Sequence, residues 1–169
     1  MKTRCSWVSQ DQLYIDYHDK EWGKPVYDDA TLFELLLLES FQAGLSWITI
    51  LKKRENFRAA FDQFDYHKIA TYDARKSAEL MQNSGIIRNK LKVKSAIKNA
   101  ALFHEIQKEH GSFSSYIWPF VGGSPMVNSF KTSSEVPATS EISDAISKDL
   151  KKRGFKFVGS TIIYAFMQA

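Results

Sequence analysis

The sequence predicts an all-α protein, on three observations. Strict alternation of apolar and polar residues is absent over any useful length, so half-buried strands find no support. Apolar residues recur instead at helical spacing, and capping residues and glycines punctuate the ends of the segments that carry them. The one long tract rich in Gly, Pro, Ser and Thr, at about residues 121–140, reads as a loop between helices.

The first clear helix is expected from Thr31, because Thr31-Leu32-Phe33-Glu34 has the form of a capping box. It runs through Leu35, Leu36, Leu37 and Leu38 and stops before Gly44. Apolar residues surround it on nearly every side, which predicts a central, buried position. Ser46 is placed to cap the next helix, in which Trp47, Ile50, Leu51, Phe57 and Phe61 recur, with Lys52, Lys53 and Arg54 at other positions. A third helix is expected over about 73–83, ending at Gly85 in a left-handed turn. Asn89 then caps a fourth that carries Val93, Ala96, Ile97 and Ala100 on one face. Short helical segments follow around Phe113 to Ile117, helix returns from about Glu141 to Lys152, and Ser160 caps a last segment.

Composition narrows the function classes. The 169 residues carry one cysteine, Cys5, so an intrachain disulfide is excluded. The N-terminus lacks the apolar run of a secretory signal, and no apolar stretch approaches the roughly 20 residues that span a bilayer. These features predict a cytoplasmic protein with no membrane partner. A net charge of +4 is compatible with a polyanionic partner and does not demand one.

Three constellations could carry chemistry. Gly85, Ile86, Arg88, Asn89 and Lys90 form a tight turn into a helix whose first N–H groups are free, with Lys92, Lys94 and Lys98 close behind. Such a turn suits a phosphate oxygen, and it is equally the pattern of an ordinary helical hairpin with a solvated basic face. Lys148, Lys151, Lys152 and Arg153 cluster at a helix end, where cations offset the macrodipole. Glu39 follows four leucines at the end of the central helix, where the dipole disfavours a carboxylate. Either it emerges into solvent there, or it is buried and awaits a cationic ligand. Trp7, Tyr14, Tyr17, Trp22 and Trp47 could wall a base pocket or pack a core. His67, His104 and His110 lie in polar surroundings and suggest no site.

Four stretches resemble the bacterial 3-methyladenine DNA glycosylase I group, of the helix-hairpin-helix glycosylase superfamily. They are RCSWVSQDQLYIDYHDKEWG, LESFQAGLSWITILKKRENFRAAF, SGIIRNKLKVKSAIKNA and LKKRGFKFVGSTIIYAFMQA, and together they cover essentially the whole chain. The resemblance implies a single glycosylase domain over residues 1–169, with a helix-hairpin-helix at about 74–110. It implies that Glu39 contacts the extruded base, that Trp47 stacks on it, and that Tyr17 belongs to the pocket with Trp7 and Tyr14 in its wall. Leu45, beside Gly44, is the expected plug for the gap left in the duplex, and the Gly85–Lys90 turn the expected backbone clamp. Members of the group continue past FMQA with a short tail that supplies a histidine and a cysteine to a structural zinc, whose other ligands correspond to Cys5 and His18. This chain stops at Ala169 and so carries half of that ligand set, and no cofactor is expected for the chemistry.

The expected activity is therefore hydrolytic removal of 3-methyladenine from alkylated double-stranded DNA, by a monomer, without strand cleavage. The rival is a non-catalytic binder of damaged DNA that uses the same hairpin, and base release separates the two.

Overall fold

The computed structural model describes residues 2–169. Among them are nine α-helices and three short 3-10 turns, with no strand. The helices are α1 (Gln12–Lys20), α2 (Asp29–Gln42), α3 (Trp47–Ala60), α4 (Tyr66–Ile69), α5 (Ala74–Gln82), α6 (Lys90–His110), α7 (Phe113–Ile117), α8 (Glu141–Arg153) and α9 (Ser160–Gln168).

α2 is the axis of the molecule. Leu32, Phe33 and every residue from Leu35 to Phe41 are buried, and α3, α6, α7 and α9 pack around it. Aromatic edges lock these contacts: Phe33 meets Phe103 of α6 at 5.1 Å, and Phe41 meets Phe57 of α3 at 4.9 Å. Asp29, in the first turn of α2, accepts hydrogen bonds from the backbone N–H groups of Phe113 and Ser114 and from Gln107 Nε2. One carboxylate thus satisfies the free N–H groups of α7 and ties three helices together.

The helix starts differ from expectation in three places. Asp28, not Thr31, caps α2, and its carboxylate accepts from the Thr31 N–H at 2.9 Å. Glu34 is consequently free for Arg54 and Arg58 of α3 instead of closing a capping box. Ser46 starts α3 but its side chain makes no bond to the helix backbone, and its hydroxyl meets that of Thr49. Gly159 starts α9, so Ser160 lies one residue inside it and donates to Asp144. α1 was not apparent from periodicity; Asp11 caps it by accepting from Leu13 N–H.

The turn between α5 and α6 also differs. Gly85 is not left-handed, because Asn83 accepts from the Gly85 N–H at 2.8 Å and closes the bend with its side chain. Glycine is required there by proximity: a Cβ at Gly85 would stand 3.0 Å from Asn56 Cγ of α3. Gly85→Ala should cost about 1–2 kcal/mol, by analogy with other overpacked sites. A thermal melt indistinguishable from that of the parent would show that Asn56 moves aside freely.

The 122–139 segment is irregular apart from a 3-10 turn at Ser133–Glu135, and it is exposed along its length. The basic run at the end of α8 is anchored through Arg153, which reaches Asp149, Glu109 and the face of Tyr116. That is the helix-end role, not a ligand site. Among the described residues no helix is long and apolar enough to cross a membrane.

Candidate active site

A cavity of about 770 Å³ opens where α1, the end of α2 and the start of α3 converge, beneath the irregular segment. Trp7, Tyr14, Tyr17, Trp22, Glu39 and Trp47, the candidates from the sequence, all line it. Their rings form a continuous wall. Trp7 lies 5.1 Å from Tyr14 and 5.3 Å from Trp22, and Tyr17 lies 5.6 Å from Trp47. Tyr14 and Tyr17 are buried, whereas Trp7 is partly open at the mouth. The aromatics therefore divide between core and pocket rather than filling either one alone.

Glu39 does not emerge into solvent. It is 4 % exposed, and burial pushes its carboxyl up to about 8. The described residues give it no ion-pair partner within reach. Two arginines that might have served are engaged elsewhere: Arg54 binds Glu21 and Glu34, and Arg4 makes a two-pronged pair with Asp19. Tyr17 is held above the usual phenol range, by burial first and then by the negative charge of Glu39. Trp47 adds an unanswered donor, since its buried Nε1–H has no hydrogen-bond partner. The cavity thus combines π faces, a buried carboxyl group and a free N–H, a set suited to a flat, cationic, hydrogen-bonding ligand.

The Ala43–Ser46 turn borders this cavity. Gly44 takes a positive φ of 81°, which reverses the chain at the end of α2. Leu45 N–H donates to Gln42 O at 2.7 Å, and Gln42 Nε2 donates back to Leu45 O at 3.0 Å. The Leu45 side chain is left 37 % exposed, an apolar group held out from a rigid turn. In the second turn Arg88, Asn89 and Lys90 are exposed, with Asn89 capping α6 by accepting from Lys92 N–H. Ile86 differs from its neighbours: its side chain is buried in the core and anchors the turn from within. Lys92 departs from the expected basic face altogether, being buried against the end of α2.

Cys5 and His18 do come together. His18 Nε2 faces the Cys5 backbone N–H at 3.5 Å, while its Nδ1 meets Asp19 at 2.9 Å. Among the described residues, however, no group of three His, Cys, Asp or Glu could hold a metal ion. Two donors do not fit the four-coordinate geometry of a structural zinc, so no step below passes through a metal.

Several lining residues were not legible beforehand. Gln42 carries no signal in the sequence, and Phe130, Lys131, Thr132, Ser133 and Val136 lie in the segment that the sequence shows only as a loop. Phe130 and Val136, among the few apolar residues of that tract, were the available signal.

Comparison with known proteins bears on the fold and the family. Residues 7–169 match the model of the methyladenine glycosylase family. A DNA-3-methyladenine glycosylase of Haemophilus influenzae is 53% identical over 169 residues, spanning 100% of this chain and 91% of its own. The crystal structure of a 3-methyladenine DNA glycosylase I superposes with a TM-score of 0.96 at 51% identity, covering 99% of this chain and 92% of that one. A tyrosine-to-phenylalanine variant of 3-methyladenine DNA glycosylase I, crystallised in complex with 3-methyladenine, superposes equally well at 36% identity over 99% and 90% of the two chains. With an all-helical fold and an aromatic cavity closed around a buried glutamate, the chain belongs to the methyladenine glycosylase family.

Proposed function

We propose that this chain is a single-domain, monomeric DNA glycosylase that extrudes 3-methyladenine from alkylated double-stranded DNA in the cytoplasm and hydrolyses its glycosidic bond. The observation that carries the reading is Glu39, a carboxyl group 4 % exposed in an aromatic cavity and lacking a cationic partner. Methylation of the adenine ring makes the base a cation, so the lesion supplies the missing charge. A normal adenine does not. Extrusion costs a few kcal/mol, and least where pairing is already damaged.

In this reading Trp47 stacks on the purine and Glu39 accepts its hydrogen bonds while offsetting its charge. The bond from the anomeric carbon to the purine breaks with its electron pair leaving on the base, which departs neutral. Water adds to the oxocarbenium-like carbon and loses a proton. Leu45 fills the gap in the stack, and the turn from Gly85 to Lys90 holds backbone phosphates through N–H groups and cations.

The test is incubation with methylated duplex DNA and chromatography of the released bases. Release of 3-methyladenine is expected; DNA binding without release would favour the non-catalytic binder. Lys131 is the one lysine among the residues lining the cavity. Borohydride should nevertheless trap no covalent DNA adduct, since hydrolysis by water leaves the strand intact. Trp47→Ala should weaken binding of free 3-methyladenine about tenfold to a hundredfold, the usual worth of one stacked base. Calorimetric titration measures this, and an unchanged affinity would move the stacking role to another ring.

A further inference from the structure

The hairpin and the base pocket are joined by one buried cation. Lys92 stands in the first turn of α6, where a helix dipole disfavours positive charge, and it is only 6% exposed. No carboxylate among the described residues pairs with it. Its Nζ instead donates to Phe41 O at 2.8 Å and Ala43 O at 2.6 Å. Those carbonyls close the C-terminal end of α2, where intrahelical partners run out and the dipole is negative. The charge on one helix start is thus neutralised by the end of another, through short charge-assisted bonds.

The carbonyls so held belong to the turn that presents Leu45. Ala43 is fixed by Lys92, Gly44 reverses the chain, and Gln42 clamps Leu45 from both sides of its peptide. Glu39 lies six residues upstream and Trp47 two residues downstream of Leu45. Lys92 itself does not line the cavity, so it has no access to the base or the sugar.

We propose that Lys92 is a positioning residue that registers the Leu45 turn against the DNA-gripping hairpin, so that seating the hairpin on the backbone brings Leu45 to the base stack. The inference rests on the excision reading above and adds the part that couples its two halves. A misplacement of about 1 Å far from the reacting atoms can cost a hundredfold in rate, and that is the scale expected here.

The experiment compares excision of 3-methyladenine from methylated duplex and from methylated single-stranded DNA, where no stacked gap has to be filled. Lys92→Met should lower kcat/KM on the duplex about a hundredfold and on the single strand by no more than about twofold. Leu45→Ala should show the same split, and the double variant should be no worse than Leu45→Ala alone, since both changes remove one function. Lys92→Arg, whose fork can still bridge two carbonyls, should recover part of the duplex rate. If Lys92→Met does not fold, Lys92→Gln keeps one N–H donor group and replaces it in the same comparison. Equal losses on both DNAs, or losses that add to those of Leu45→Ala, would reduce Lys92 to a structural residue and overturn the inference. A wild-type chain that releases no base from either DNA would overturn the excision reading itself, and this inference with it.

Discussion

Glu39→Gln should release 3-methyladenine about a hundred to a thousand times more slowly than the parent chain, and yet be the more stable protein at pH 8. The loss of rate follows from exchanging a carboxylate for a neutral amide where the lesion's charge must be met. The gain in stability follows from linkage. The carboxyl titrates at about 8 in the folded chain against an ordinary 4.5, so between these values the folded state holds a proton that the unfolded state has released. Parent stability therefore falls as pH rises through that interval, and the amide escapes the fall. The difference is absent below about pH 4.5 and reaches a few kcal/mol near pH 8, or roughly 5–10 °C in midpoint. Thermal melts at both pH values measure it. Excision kcat/KM should rise over the same interval as the carboxylate forms, while a bound cationic base draws the titration of the complex to lower pH. A variant that excises at the parent rate would remove Glu39 from the mechanism.

Phe41→Ala should destabilise the fold by about 3–5 kcal/mol, the range for truncating a fully enclosed phenylalanine. Phe41 is 0% exposed and packs edge-on against Phe57, with Phe61 at 5.9 Å. The void would open behind the Gly44 turn, at the residue whose carbonyl Lys92 holds. A midpoint lower by roughly 10 °C is expected in a melt that stays cooperative. A loss below about 1 kcal/mol would mean that the two remaining rings repack around the gap, and that the core behind the pocket is softer than its geometry indicates.

The sequence carried the helices wherever packing and local chemistry agree. The all-round apolar character of 32–41 announced a central helix, and Asn89, Asp73 and Ser140 capped where capping residues should. It misled where two residues could do the same work: Asp28 and Thr31 both suit a cap, and the longer helix prevailed. α1 was hidden because its buried face amounts to Tyr14 and Tyr17, too few residues for a period to register. In the site, the aromatic residues and Glu39 were nameable in advance because their types are unusual at those positions. Their convergence on one pocket came from the family resemblance alone, because local periodicity does not report the packing of α1 on α3. Lys92 reads as part of a basic face because a lysine near other lysines normally is, and nothing local reports the Phe41 and Ala43 carbonyls, 51 and 49 residues away in sequence, that draw it inward.

The cavity wall contributed by 130–136 differs in kind from the others. The walls from α1, α2 and α3 carry residues that also hold the core, so a change there disturbs folding and chemistry at once. The 130–136 wall is a length of exposed chain whose side chains support little else. Exchanges at Phe130, Lys131 or Val136 therefore alter the room and charge at the pocket mouth at small expense to stability. Among descendants of such a chain, divergence in the range of damaged purines accepted should accumulate in this stretch, while the machinery that breaks the bond stays under the constraint of the fold.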